Sequence, residues 1–438
     1  MNKTFWIFYL VIFFFLNFFY CLDKQNFCSK EDATTNGCSD NQNIHLYKPQ
    51  TRYILYDVNP SEGFNLRRDV YLRLAIMVHN FKKSKNHKLS TLKLVLPPWP
   101  HLYHWQSKDI FDQRRLPWSL FFDIPSLQKF APVIEISDFF AEANSASIDE
   151  TYTLENFEEM FESGVFVDKV EVRDCKRRHI NNFYGYPNIS SKITTCLGFQ
   201  GHTSNLKTIF EKSDSQIFMF NRAEIFLHDE YGGKAFWEAR RSMRFNKELV
   251  KIAKDFRKKN FNSTDKLDGI NRPDDWTLEK PKRSAKGGNY LCVHLRRKDF
   301  IQGRPNDVPS LESASKQLKE LLEKLKFDNI FISTDSPEAE FKKLSTLLKS
   351  KNNNIKTKRF TPSEEQKEKY KDGGIAIIDQ LICSHAAYFV GTHESTFTYR
   401  IQEEREILGF PEHTTFNQLC GNDNPKSCKK SSVWKIVY

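Results

Sequence analysis

Residues 52–73, RYILYDVNPSEGFNLRRDVYLR, change periodicity half-way along. The first seven, RYILYDV, are β-branched and aromatic and stop at Asn-Pro, which reads as a strand. Beyond the SEGFN turn, Leu66, Val70, Leu74 and Val78 recur every four residues and mark one face of a helix. TLKLVLP (91–97) and PVIEI (132–136) supply further strands. Strand–helix alternation of this kind predicts a parallel α/β sheet.

The alternation returns after residue 290. YLCVHL (290–295) reads as a strand, SLESASKQLKELLEKLKF (310–327) as a helix, and NIFIST (329–334) as a strand stopped at Asp335. There Ser336 is expected as an N-cap and Pro337 at the first helical position. DGGIAIIDQLICSHA (372–386) reads as a helix, AYFVGT (387–392) as a strand, and FTYRIQEEREILG (397–409) as a helix. Between the two regions, AFWEARRSMRFNKELVKIAKDFRKKNF (235–261) reads as one long amphipathic helix, followed by a polar linker. Residues 137–235 mix aromatic and charged stretches without a clear period. The expectation is an α/β chain of two Rossmann-like domains, 45–238 and 239–438, facing a cleft.

The N-terminus bears on the compartment. Lys3 precedes FWIFYLVIFFFLNFFYCL, an apolar run of signal-peptide length, so residues 1–22 read as a secretory signal. The residues before Cys21 are bulky, which leaves an uncleaved anchor open. Residues 23–44 form a polar leader. With Cys21 in the signal, eight of the nine cysteines remain, and C-x-x-C is absent. Close spacing suggests the pairs Cys28–Cys38, Cys175–Cys196 and Cys420–Cys428. Cys292 and Cys383 lie in apolar stretches and are expected as buried thiols. Sequons at Asn188 and Asn262 fit passage through the endoplasmic reticulum, with the Golgi also open. The formal charge of +11 favours anionic partners or is simply a solvated basic surface. Secretion argues against nucleic acid, and no stable membrane partner is expected.

The sequence has no G-x-G-x-x-G, no P-loop, no Asp-x-Asp, no H-E-x-x-H and no G-x-S-x-G. A diphosphate bound here needs neutralisation other than a metal–carboxylate pair, so no metal site is expected. HLRRKDF (294–300) places two arginines at the carboxyl end of a strand, where α/β sheets bind ligands and where a guanidinium fork suits phosphate. A solvated basic turn is the plain alternative. GTHESTFTYR (391–400) leads from a strand into a helix N-terminus with Ser395 and Thr396, which is either a phosphate site or ordinary capping. Asp379 interrupts an apolar helix face; it either accepts from the N1–H and N2–H of a guanine or pairs with a nearby cation. Glu62, beside Gly63 in the turn after the first strand, is a general-base candidate or a loop acid near a helix dipole. Trp99, Trp105 and Trp118 read as core packing or as the aromatic lining of a sugar or polypeptide site.

Taken together, these motifs resemble the GDP-fucose protein O-fucosyltransferases, and most closely the branch that modifies thrombospondin type 1 repeats. The resemblance is carried by RYILYDVNPSEGFNLRRDVYLR, LPPWPHLYHWQSKDI, HDEYGGKAFWEARRSMRF, YLCVHLRRKDF, DVPSLE, YKDGGIAIIDQ, STFTYRIQEEREILG and WKIVY, in that order from residue 52 to the C-terminus. It implies a GT-B fold with the donor in the cleft, and inverting transfer of fucose from GDP-β-L-fucose to a Ser or Thr hydroxyl without a metal. By match, Glu62 falls on the family's base, and Ser61, Gly63, Phe64 and Asn65 on the loop around it. His294, Leu295 and Arg296 fall on the donor-binding triplet, Asp379 on the guanine-side acid, and Thr396 and Phe397 on phosphate and base contacts. Ser61 stands where the family commonly has Pro, a departure expected to loosen the loop. An enzyme acting on epidermal growth factor-like repeats, or a non-catalytic sugar- or heparin-binding protein, are the competing expectations.

Overall fold

A computed structural model describes residues 50–143, 147–157, 167–175, 183–228, 231–349, 355–421, 428 and 432–438. The expected signal (1–22), the leader (23–44) and the pair Cys28–Cys38 lie outside the described residues. Pro49–Tyr438 forms one compact unit.

Two sheets organise this unit. The first contains β1 (Arg52–Tyr56), β2 (Leu92–Leu96), β3 (Val133–Glu135), β4 (Ser147–Glu155), β5 (Lys169–Arg173), β6 (Ser190–Gln200) and β7 (Ile217–Asn221) in the order β3-β2-β1-β7-β4-β6-β5. All its pairings are parallel except the antiparallel edge β5–β6. The second contains β8 (Gly288–Leu295), β9 (Asn329–Thr334), β10 (Lys356–Lys358) and β11 (Ala386–Gly391) in the all-parallel order β10-β9-β8-β11. The main helices are α1 (Phe64–Phe81), α2 (Lys234–Ser242), α3 (Lys247–Phe261), α4 (Leu311–Leu325), α5 (Glu338–Leu348), α6 (Glu364–Ser384) and α7 (Thr396–Leu408).

Central strands are covered on both faces, which is why they read as unbroken apolar runs. In β1, Ile54 and Tyr56 enter the largest apolar cluster, and Tyr53 and Leu55 enter the cluster on the opposite face. In β8, Tyr290 and Cys292 join that same largest cluster while Leu291, Val293 and Leu295 pack with α4. One apolar core therefore runs from α1, through the tryptophans, to α6 and β8. Val70, Leu74 and Val78 of α1 are fully buried, as their spacing predicts.

Three sequence readings change, and for the three tryptophans the core alternative holds. The stretch 235–261 is two helices, because Asn246 caps α3 by accepting from the Glu248 amide and Phe245 pairs with Phe122. α5 begins one residue late, with Pro337 as its N-cap. Cys292 and Cys383 form a disulfide joining β8 to α6, alongside Cys175–Cys196 and Cys420–Cys428. Their Cα atoms lie 5.2 Å apart because α6 covers the face of β8 that carries Cys292. Trp99, Trp105 and Trp118 are at most 3% exposed and pack with Phe64, Phe121 and Phe122, so they are core and line no cleft. Asn188 and Asn262 are exposed.

Candidate active site

The β1–α1 turn carries Glu62. Its amide donates to the Asn59 carbonyl at 2.9 Å and its carbonyl accepts from Arg67 Nε at 3.0 Å. Arg67 also donates to the carbonyls of Val58 and Asn59, so one buried guanidinium braces the whole turn. The Ser61 amide and hydroxyl both donate to Asn59 Oδ1 at 3.2 and 3.1 Å. The expected loosening at Ser61 is thus countered by a side-chain turn of the Asx kind. The Glu62 side chain is half-buried. Burial raises its pKa, nearby Glu224 raises it further, and Arg67 opposes both.

Gly63 is the N-cap of α1 and provides no side-chain cap, which leaves the first helical amides open. Phe64 points into the aromatic core, 4.7 Å from Trp99 ring to ring, so only its backbone faces the turn. Asn65 Oδ1 accepts from Arg68 at 3.2 Å and from Gln380 Nε2 at 3.1 Å, tying the first turn of α1 to α6.

At the end of β8, Leu295 is core and His294 is buried. His294 Nδ1 lies 2.8 Å from Thr398 Oγ1 and its ring stacks on Phe397 at 4.3 Å. Burial, with Arg296 adding, holds His294 neutral, at a pKa near 3. The Arg296 guanidinium meets Asp335 at 2.9 Å, Asp299 at 2.6 Å and His104 Nδ1 at 3.1 Å. Its amide donates to Thr392 Oγ1 at 2.8 Å. Arg297 turns away to Glu340.

α7 begins at Thr396 with Ser395 as an N-cap that makes no side-chain cap. Its leading amides are therefore oriented donors at the positive end of a helix dipole. Asp379, on α6, is partly buried, and its carboxylate oxygen Oδ1 is shielded from solvent. Ser333 Oγ donates to Oδ2 at 2.8 Å, while Oδ1 has no hydrogen-bond partner. Burial pushes its pKa up to about 7, against the Ser333 hydrogen bond and Arg359. A buried carboxylate oxygen without a donor is costly unless a ligand supplies one.

His104 links the sequence-read groups. Its ring lies against Gly63, where a Cβ would fall 2.6 Å from Nε2, and its other nitrogen meets Arg296. Gly63, next to Glu62 in the chain, and Arg296 thus flank one imidazole. His104, Ser333, Asp335 and Thr392 were not singled out from sequence; the only signal was that each lies in or beside a quoted motif.

The sequence profile of the GDP-fucose protein O-fucosyltransferases matches residues 53–408. The chain belongs to this family. It is 46% identical over 399 residues to human "GDP-fucose protein O-fucosyltransferase 2", covering 88% of this chain and 90% of that one. It is 41% identical over 431 residues to the protein of the same name from Caenorhabditis elegans, covering 95% and 97%. Among solved structures, POFUT1 in complex with GDP superposes with a TM-score of 0.54 at 16% identity, covering 85% of this chain and 98% of that one. POFUT1 in complex with GDP-fucose gives 0.54 over 84% and 98%. The family member described here therefore has an α/β fold of GT-B type. Among its described residues no cluster of three or more His, Cys, Asp or Glu is gathered to hold a metal ion.

Proposed function

We propose that this chain transfers fucose from GDP-β-L-fucose to a Ser or Thr hydroxyl of a folded thrombospondin type 1 repeat, with inversion and without a metal. The observation that carries the reading is the Asp379 Oδ1 atom, shielded from solvent and without a hydrogen-bond partner beside the second sheet, where a guanine N–H pair would satisfy it. The names of the 41–46% identical relatives support the donor and the protein acceptor. In this reading residues 45–238 form the acceptor side with the base, and 239–438 the donor side.

Glu62 takes the proton of the acceptor hydroxyl as its oxygen bonds to the fucose anomeric carbon. The bond from that carbon to the β-phosphate oxygen breaks, and the electron pair leaves with GDP. A raised carboxyl pKa makes Glu62 a stronger base. Arg296 and the open amides of Thr396 and Phe397 meet the developing diphosphate charge. Arg296 spends part of its fork on Asp299, Asp335 and His104, and Nε remains for the donor. His294 and Phe397 offer a neutral stacked pair beside that position. The disulfides and the exposed sequons support maturation in the endoplasmic reticulum lumen.

The test is to incubate purified protein with GDP-fucose and folded thrombospondin type 1 or epidermal growth factor-like repeats, with and without chelator. Fucose on the thrombospondin repeat, unchanged by chelator, is expected. Transfer only to the epidermal growth factor-like repeat replaces the acceptor, loss with chelator removes metal independence, and transfer to neither overturns the enzymatic reading.

A further inference from the structure

The partner of Arg296 across the cleft, His104, has no role in the chemistry above. We propose that His104 is a positioning residue, an uncharged strut between the Gly63 turn and Arg296 that fixes the donor clamp relative to the base. The inference rests on Arg296 being that clamp.

Three observations carry it. Arg296 Nη2 lies 3.1 Å from His104 Nδ1. A guanidinium only donates, so Nδ1 must present its lone pair and the ring proton sits on Nε2. Second, the Nε2 edge rests on Gly63. The Gly63 φ of −79° is ordinary for any residue, so glycine is required there for room and not for conformation. An added Cβ would fall 2.6 Å from Nε2 and 3.0 Å from Cδ2. Third, the segment that carries His104 is fastened to α6. Asp372 accepts from the Ser107 amide at 3.1 Å and Gln113 Nε2 at 3.0 Å, and its own amide donates to Gln113 Oε1 at 3.0 Å.

Charge explains why an imidazole suits the place. Arg296 already faces Asp299 and Asp335. A third carboxylate would oppose an arriving diphosphate, and a lysine would repel the guanidinium. A neutral acceptor orients the guanidinium without either effect. Burial, with Arg296 adding, keeps the ring uncharged by lowering its pKa to about 4.

A double-mutant cycle on the full-length protein tests this, with GDP binding by calorimetry and steady-state kinetics in GDP-fucose. His104→Ala and Gly63→Ala should each weaken GDP binding and raise KM for GDP-fucose about tenfold. The double variant should be no worse than either single, within about twofold, because both remove the same contact. His104→Gln, whose amide oxygen can accept from Arg296, should recover binding to within roughly threefold of wild type. His104→Phe fills the space without an acceptor and should bind as weakly as His104→Ala while melting like wild type. Normal GDP affinity in His104→Phe, or additive losses in the double variant, overturns the strut. Failure of the wild type to bind GDP overturns the donor reading and the strut with it.

Discussion

In its proposed role as base Glu62 must be ionised, and its surroundings move that limit upward. Because burial and Glu224 raise its pKa above 4.5, kcat/KM should fall on the acid side with an apparent pKa above that value. Glu62→Ala should lose about a hundredfold or more in kcat while binding GDP normally. Asp379 sets a second limit, on binding. A guanine N–H pair needs the carboxylate, and in the free protein Asp379 is protonated below about pH 7. GDP affinity should therefore fall about tenfold for each pH unit below 7, and Asp379→Asn should flatten that profile. The effect on folding has the opposite sign. The folded pKa lies above the unfolded 3.8, so this group's stabilisation of the free protein is present below pH 4 and is lost as pH rises through 7. Melting temperatures with and without GDP at pH 5 and pH 8 should separate the two.

At the scale of elements, α6 carries Asp379, the proposed guanine-side acid, and fastens the His104 segment. Its helical course breaks at Lys371, which sits at φ 57° and ψ 179°. This backbone region is nearly confined to glycine and stores about 1–3 kcal/mol. The break directs Asp372 to Ser107 and Gln113, and lets Gly373 approach Trp105 and Phe121 closely. Asp372→Ala should destabilise the protein by about 1–3 kcal/mol in denaturant melts and raise KM for GDP-fucose. Elements with apolar periodicity, such as β1, α1, β8 and β9, are legible in the sequence. β4 is not, because the buried positions of SIDETYTLE include Thr151, Thr153 and Glu155 and so form no apolar run. The break at 243–246 escapes because apolar residues continue through it. At the site, Glu62, Arg296 and Asp379 stand in local motifs. His104, Ser333 and Asp372 gain their roles from segments distant in sequence, which no local pattern records.

At the scale of the molecule, α7 is anchored by ion pairs inside the protein. Arg240 meets Glu403 at 2.7 Å with both side chains fully buried. Arg400 meets Glu403 at 2.6 Å and Asp69 of α1 at 2.7 Å, and Tyr231 donates to Glu403 at 2.9 Å. Arg272 pairs with Glu404 and with Glu279. Removing one member leaves its partners charged and dry. Glu403→Gln should therefore cost about 3–5 kcal/mol in unfolding free energy, and it should loosen the helix whose first amides are the proposed diphosphate donors. The basic residues of this chain are thus partly structural, and its net charge of +11 does not by itself mark a polyanion-binding face.

The Cys292–Cys383 bond ties the strand that leads into Arg296 to the helix bearing Asp379. Both walls of the proposed nucleotide site are thereby riveted to each other by a link that persists in an oxidising environment. On the proposed function, the firm spacing of these two walls is then acquired after entry into that environment and not at synthesis. A chain held in a reducing cytosol is expected to bind GDP more weakly than the oxidised protein, a difference that calorimetry with and without reductant measures.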